Sequence, residues 1–133
     1  MPETETRTPP PKSRVGRGEV IYREGEEALC LYRAETGFVR LLRTTGRGRT
    51  LTLRHVLPGD YFGENALSAS VHPHGAEALT GALISHFDPR ALGEAALLDL
   101  ARNLGAQLRR AMRFEVHLQS GDLRARVVRF GHS

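Results

Sequence analysis

The chain has 133 residues, 19 basic against 15 acidic, for a formal charge of +4 and a sequence pI near 10.0. At 14.7 kDa it has room for one domain with a real hydrophobic core and a small appendage, and none for a second full domain. A single cysteine, Cys30, excludes an internal disulfide, a multi-cysteine zinc site and an iron–sulfur cluster, and reads as a buried strand thiol.

Met1 to Arg17 is rich in Pro, Thr and charge and holds too little apolar area to order itself, so 1–17 reads as a disordered tail. Met1 to Lys12 also lacks the apolar stretch of a secretory signal. No run in the chain approaches the roughly eighteen apolar residues of a membrane span, and the expectation is a cytoplasmic protein with no membrane contact. From Glu19 the pattern changes to short runs of period two, the mark of half-buried strands: EVIY at 19–22, LCLYRA at 29–34, FVRLLR at 38–43 and TLTLRHV at 50–56. Turns fall between them at 24–27, 35–37 and 44–49. Gly46 and Gly48 make the last a hairpin with Arg47 and Arg49 exposed at its tip. Arg33, Arg40, Arg43 and Arg54 are scattered as on solvated strand faces. This positive balance permits nucleic-acid contact without establishing it.

The stretch LPGDYFGENAL, Leu57 to Leu67, packs a turn, a short strand, a glycine and a one-turn helix into eleven residues. Pro58, Gly59 and Asp60 are turn formers, Tyr61 and Phe62 bury aromatic area, and Gly63 lets the backbone pass close to a neighbour. A helix start at Glu64 leaves free N–H groups that suit a phosphate or another anion. A polar loop from Ser68 to Gly75 follows, then strands at 76–81 and 82–87. Asp88 with Pro89 starts a short helix continued by Ala91 and Leu92 and weakened by Gly93.

From Ala95 to about Leu118 the period is helical, with Leu97, Leu100, Ala101, Leu104, Leu108, Ala111 and Met112 on one broad stripe. Two dozen residues reach roughly 35 Å, about the width of a small domain, so part of the stripe is left to cover a partner helix in a homodimer. Ser120, Gly121 and Asp122 break this helix, and Asp122 caps the next, DLRARVVRF.

These elements, in this order, resemble the CRP/FNR family of bacterial transcription regulators. The resemblance is carried by Gly18-Glu19 and Glu24-Gly25 around the first strand, by the hairpin ending in Leu51 and Leu53, and by Leu57 through Glu64. It continues in Phe87-Asp88-Pro89-Arg90-Ala91-Leu92 and Asp122-Leu123-Arg124-Ala125-Arg126-Val127. It implies a mainly β fold with C-terminal α structure: a double-stranded β-helix, or jelly roll, of the cyclic-nucleotide-binding type, then a long dimerisation helix. The expected divisions are the tail at 1–17, the β-roll with flanking short helices at 18–94, the dimerisation helix at 95–120, and at 121–133 the start of a hinge and DNA-binding domain.

The resemblance makes Gly63, Glu64, Asn65 and Ala66 a phosphate-binding cassette, with Glu64 accepting a hydrogen bond from a ribose 2′-OH. Ten residues beyond that glutamate, nucleotide-binding members carry arginine and then serine or threonine, a fixed cation and a hydroxyl for the phosphate. Here those positions hold His74 and Gly75. Counted back without a gap from Asp122, the positions that contact adenine through hydroxyls fall on Ala111 and Met112, neither of which donates that bond. The losses are worth on the order of 3 kcal/mol, about a hundredfold in affinity.

The expectation is the effector-sensing and dimerisation part of a regulator that does not respond to cyclic AMP. It uses no cofactor, takes a small-molecule effector of unspecified class, and pairs through Leu97, Leu100, Ala101, Leu104, Leu108, Ala111 and Met112. DNA and RNA polymerase would be met only through a C-terminal helix-turn-helix domain, for which six residues after Val127 do not suffice. Two other readings use the same β-roll. One is a stand-alone small-molecule-binding module, or one that regulates an attached enzyme or channel, which needs no DLRARV hinge. The other is a cupin-type metalloenzyme, for which His72-Pro73-His74 and Glu77 mimic a metal triad at unsuitable spacing, with His86 the nearest further histidine. Ser68-Ala69-Ser70 forms no nucleophile elbow, Cys30 has no histidine nearby in sequence, and no catalytic residue is assigned.

Overall fold

The computed structural model describes residues 9–126, with side chains through Arg113. Eight strands come first: β1 (Lys12–Val15), β2 (Val20–Tyr22), β3 (Leu31–Thr36), β4 (Val39–Thr44), β5 (Thr50–Val56), β6 (Tyr61–Phe62), β7 (Gly75–Ala78) and β8 (Ala82–Phe87). A single helix, α1 (Glu94–Arg126), follows them. The strands form two four-stranded antiparallel sheets, ordered β1-β8-β3-β6 and β2-β7-β4-β5. This is the jelly roll followed by a long helix that the family resemblance implied.

The period-two pattern works as expected because alternate side chains of a strand point to opposite faces. In β4, Val39 and Leu41 are buried while Arg40 and Leu42 are only half-buried; in β8, Ala82 and Ile84 go inward. Tyr22, Val56 and Ala76 from one sheet and Tyr32, Ala34 and Phe62 from the other complete the core. The chain divides after Ala96 into two units, the β-roll and the helical remainder.

Four expectations are corrected. Residues 12–15, assigned to a disordered tail, form β1, paired with β8 from Lys12 opposite Ser85 to Val15 opposite Ala82. Three of its four side chains are exposed, so composition gives no sign of it. What holds it is the main-chain ladder, including the His86 N–H donating to the Pro11 carbonyl at 2.9 Å. The part of the tail before Pro9 lies outside the described residues.

Residues 88–92 make one turn, not a helix. Asp88 does cap it, its side chain accepting from the Arg90 N–H at 3.0 Å and its carbonyl from the Ala91 N–H at 3.0 Å. Cys30 precedes β3 and is half-buried. The expected break at Ser120-Gly121-Asp122 does not occur, since α1 runs on to Arg126. One interior glycine costs about 1 kcal/mol relative to alanine, and no proline stands there to remove a hydrogen bond. The hinge residues from Val127 onward lie outside the described residues. At 33 residues α1 is about 50 Å long, more than the sequence suggested.

Candidate functional site

The backbone of the site begins at the turn Leu57–Asp60. The Asp60 N–H donates to the Leu57 carbonyl at 2.9 Å, with Pro58 and Gly59 between and Gly59 at φ 92°. That is the turn whose third position needs positive φ. The Asp60 carboxylate accepts from the Leu57 N–H at 3.0 Å, and its carbonyl accepts from Ala34 of β3 at 2.9 Å. Pinned this way, the chain sends Tyr61 and Phe62 inward as β6. Gly63 then turns left-handed, φ 73° and ψ 20°, and starts the single 3-10 turn Glu64–Leu67. A Cβ on Gly63 would stand 2.8 Å from Cδ2 of Tyr32, so both the angle and the space require glycine.

The turn presents Glu64 to Arg54 of β5. The two arginine Nη atoms donate to the two carboxylate oxygens at 2.9 and 3.1 Å, a bidentate pair whose side chains are 31% and 25% exposed. Burial works to raise the Glu64 carboxyl's pKa. The Arg54 hydrogen bonds and charge, its own main-chain N–H and His74 outweigh that and hold it below the ordinary value.

The sequence offered no sign of this pair. Arg54 is not the solvated strand residue that the scatter of arginines suggested: it stands two residues before the buried Val56 and opposite the buried Leu41, on the inward face of β5. A bulge follows, since Leu42 opposes Thr52 and Leu53 is skipped, and Leu51 and Leu53 stay about half exposed. Arg33 and Arg40 also lie half-buried, paired with Glu35 at 2.7 Å and Glu77 at 2.8 Å.

The loop Ser68–His74 closes the site. It is stitched to the segment after β2 by the Gly25 N–H donating to the His72 carbonyl at 2.8 Å, His72 N–H to Glu26 at 2.9 Å, and Ala28 N–H to Ser70 at 2.8 Å. His72 is 1% exposed and stacks on Tyr22 at 3.6 Å between ring centroids. His74 lies 6.3 Å from the same ring. Burial drives the His74 pKa down; the Glu64 charge opposes this, and Arg54 and Arg43 add to it.

Of the expected site residues, Gly63, Glu64 and His74 are neighbours. Asn65 and Ala66 are half-buried in the 3-10 turn, where the Asn65 carbonyl accepts from the Ser68 N–H at 3.0 Å. At Gly75 a Cβ would come 3.3 Å from the Tyr22 carbonyl oxygen, a tight contact that the β2 backbone would have to relieve. Glu77 is committed to Arg40, and His86 Nε2 lies 2.8 Å from Ser13 Oγ. Among the described residues no three His, Cys, Asp or Glu side chains gather to hold a metal ion.

Along α1, Leu97, Leu108 and Met112 are 46%, 62% and 58% exposed in the single chain, and Ala101 and Ala111 are exposed too. Leu104 is half-buried. Leu100 differs from the stripe it was grouped with, being only 4% exposed.

The cyclic nucleotide-binding domain family matches residues 12–99. The transcriptional regulator LdrP of Thermus thermophilus is 52% identical over 117 residues, 88% of this chain and 60% of that protein. The crystal structure of a CRP-family transcriptional regulator from Thermus thermophilus superposes with a TM-score of 0.77 at 52% identity, over 86% of this chain and 58% of that one. A CRP/FNR-family regulator from the same organism gives 0.70 at 32% identity, over 81% and 56%. The chain belongs to the CRP/FNR family of transcription regulators and carries its cyclic nucleotide-binding-type effector domain. It spans about 60% of the length of the curated relative.

Proposed function

We propose that this chain is the effector-sensing and dimerisation part of a cytoplasmic CRP/FNR-type regulator whose β-roll does not respond to cyclic AMP. The observation that carries the reading is the Arg54–Glu64 pair. Both Glu64 oxygens, the acceptors that a ribose hydroxyl needs, already accept from one guanidinium at 2.9 and 3.1 Å. Displacing that guanidinium would leave the half-buried Glu64 carboxylate without its cation, a cost that a neutral ribose hydroxyl does not repay. His74 and Gly75 supply neither the phosphate's fixed cation nor its hydroxyl, and the β2 backbone crowds the Gly75 side.

The β-roll (18–94) would act as a sensor and α1 would pair with a second copy of itself. The exposed Leu97, Leu108 and Met112 support that pairing: apolar side chains at 3-4 spacing gain most from a facing helix. Leu100, already withdrawn from water, adds little to the seam. Contacts with DNA and RNA polymerase would belong to the remainder of a longer regulator, as in the family. No catalytic role is assigned to any residue, and the curated relatives are named as transcriptional regulators.

Titration calorimetry with cyclic AMP tests the reading. The expected result is no saturable heat at nucleotide concentrations up to about a hundred times micromolar; a micromolar or tighter Kd overturns it.

A further inference from the structure

The loop before β7 is tied down as a strap, and a buried histidine is its fastening. A short ladder of three main-chain bonds joins it to the segment after β2, donated by Gly25, His72 and Ala28 and accepted by His72, Glu26 and Ser70. Beneath this ladder the His72 side chain is shut off from water, its ring 3.6 Å from that of Tyr22 and inclined to it by only 11°. Tyr22 is itself fixed in the core, stacked against Tyr32 at 5.5 Å and Phe62 at 6.2 Å. The His72 Nδ1 atom is buried and has no hydrogen-bond partner among the described residues. The strap also reaches the rest of the roll. The Ala69 N–H donates to the Asn65 carbonyl of the 3-10 turn at 2.7 Å, and Arg43 Nη2 of β4 donates to the Pro73 carbonyl at 3.1 Å.

This packing accepts a neutral ring and resists a charged one. Burial lowers the His72 pKa below the ordinary histidine value, His74 of its own loop adds to this, and Glu26 of the segment after β2 opposes it. Glu26 is a poor counter-ion for the ring: its side chain is exposed, and its carboxylate already accepts from the Arg23 N–H at 3.0 Å. Glu64, Arg54 and Arg43 bear on His74. The face of Tyr22 gives an imidazolium some attraction. It supplies no acceptor for the second N–H that protonation creates, and a buried cation with an unpaired donor is costly. Hydrating that N–H requires the ring to lift off Tyr22. The ladder permits this only by opening, since the His72 main chain carries two of its three bonds.

We propose that the strap 68–74 is a proton-operated latch, closed while His72 is neutral and opened when a proton enters its ring, which uncovers Tyr22 and loosens the 3-10 turn that carries Glu64. Closing excludes the proton and opening takes it up. The opening constant therefore rises by up to tenfold for each pH unit below the ordinary histidine pKa of about 6.5. His74 sits on the same strap and is also held below its ordinary value, so it steepens the response. His86, whose Nε2 lies 2.8 Å from Ser13 Oγ between β8 and β1, belongs to the other sheet and has no part in the latch. Acidification is thus a signal that the β-roll reads with no bound effector. The latch stands apart from the cyclic AMP reading, because neither the stack nor the ladder involves a nucleotide.

Amide hydrogen exchange of the full 133-residue chain tests the latch, read residue by residue between about pH 7.5 and 5.5 and corrected for the intrinsic exchange rate. Protection of the Gly25, His72 and Ala28 amides should fall about tenfold toward the acid end. The Ala78 and Leu79 amides, bonded to Glu19 and Phe38 at the far end of β7, should keep theirs. His72→Phe leaves a ring on Tyr22 and should abolish the fall, whereas His74→Gln should only make it shallower. The imidazole resonance of His72 in the parent chain needs no variant and should titrate below about pH 6.5. Unchanged protection, or equal loss at all five amides as in global unfolding, overturns the proposal. So does a His72 that titrates at or above about 6.5, a fall that survives His72→Phe, or one that His74→Gln removes entirely.

Discussion

Replacing Arg54 by methionine keeps a flexible apolar stem in place and leaves the Glu64 carboxylate without its partner. Removing one member of a fully buried pair costs about 3–5 kcal/mol, and an exposed pair is worth about 0–1. With side chains 31% and 25% exposed, this pair falls between, at about 2 kcal/mol. For a domain of this size that lowers Tm by about 10 °C. The loss should depend on pH in a definite sense. In the parent chain the folded-state Glu64 pKa is depressed, so its contribution is present above the ordinary carboxylate pKa and fades as pH falls below it. In Arg54→Met burial is left as the dominant influence and raises the folded pKa, so stability is lost as pH rises. The gap between the two proteins therefore narrows from neutral pH toward about pH 4. Adding Glu64→Gln to Arg54→Met should restore about 1 kcal/mol, because the stranded charge is gone. Calorimetric unfolding of the parent, both single variants and the double variant measures this. Strict additivity, with no recovery in the double variant, would refute the claim that the pair is coupled.

Gly63→Ala must hold alanine at φ 73° and push its Cβ against Tyr32, for a loss of about 2–4 kcal/mol in urea unfolding; a loss under about 1 would mean the turn relaxes freely. Burial lowers the pKa values of His72, His74 and His86, so the unfolded chain takes up protons first and stability falls as pH drops through about 6.5. His72→Phe keeps the stack on Tyr22 and should flatten that fall between about pH 7.5 and 5.5, as Tm scans would show. Leu108→Glu with Met112→Glu places charges in the exposed stripe of α1 and should convert a dimer into a 14.7 kDa monomer in sedimentation, leaving the far-ultraviolet spectrum of the β-roll unchanged. A monomeric parent chain would remove the basis of that expectation.

Much of the fold was legible because it depends on local rules. The strand at 50–56 has the bounds read from its alternation, and the turn at Pro58-Gly59 follows from a fixed φ beside a positive one. Other parts were hidden for identifiable reasons. β1 is held by main-chain bonds to a strand some seventy residues away, so its exposed, charged side chains read as a tail. Ser120-Gly121-Asp122 reads as a break with a new cap, whereas a long helix absorbs a single glycine without ending.

The sequence by itself determined that there would be a run of short strands, a long helix and a glycine-led turn ahead of Glu64, since periodicity and backbone angles are properties of neighbouring residues, and the family resemblance joined the strands into a jelly roll. Only the tertiary structure decided what Glu64 meets. Cross-strand pairing sets Arg54 opposite the buried Leu41 on the inward face of β5, and the turn after Gly63 carries Glu64 to it. That assembly is a matter of register between strands, which a period-two pattern reports only up to a one-residue slip.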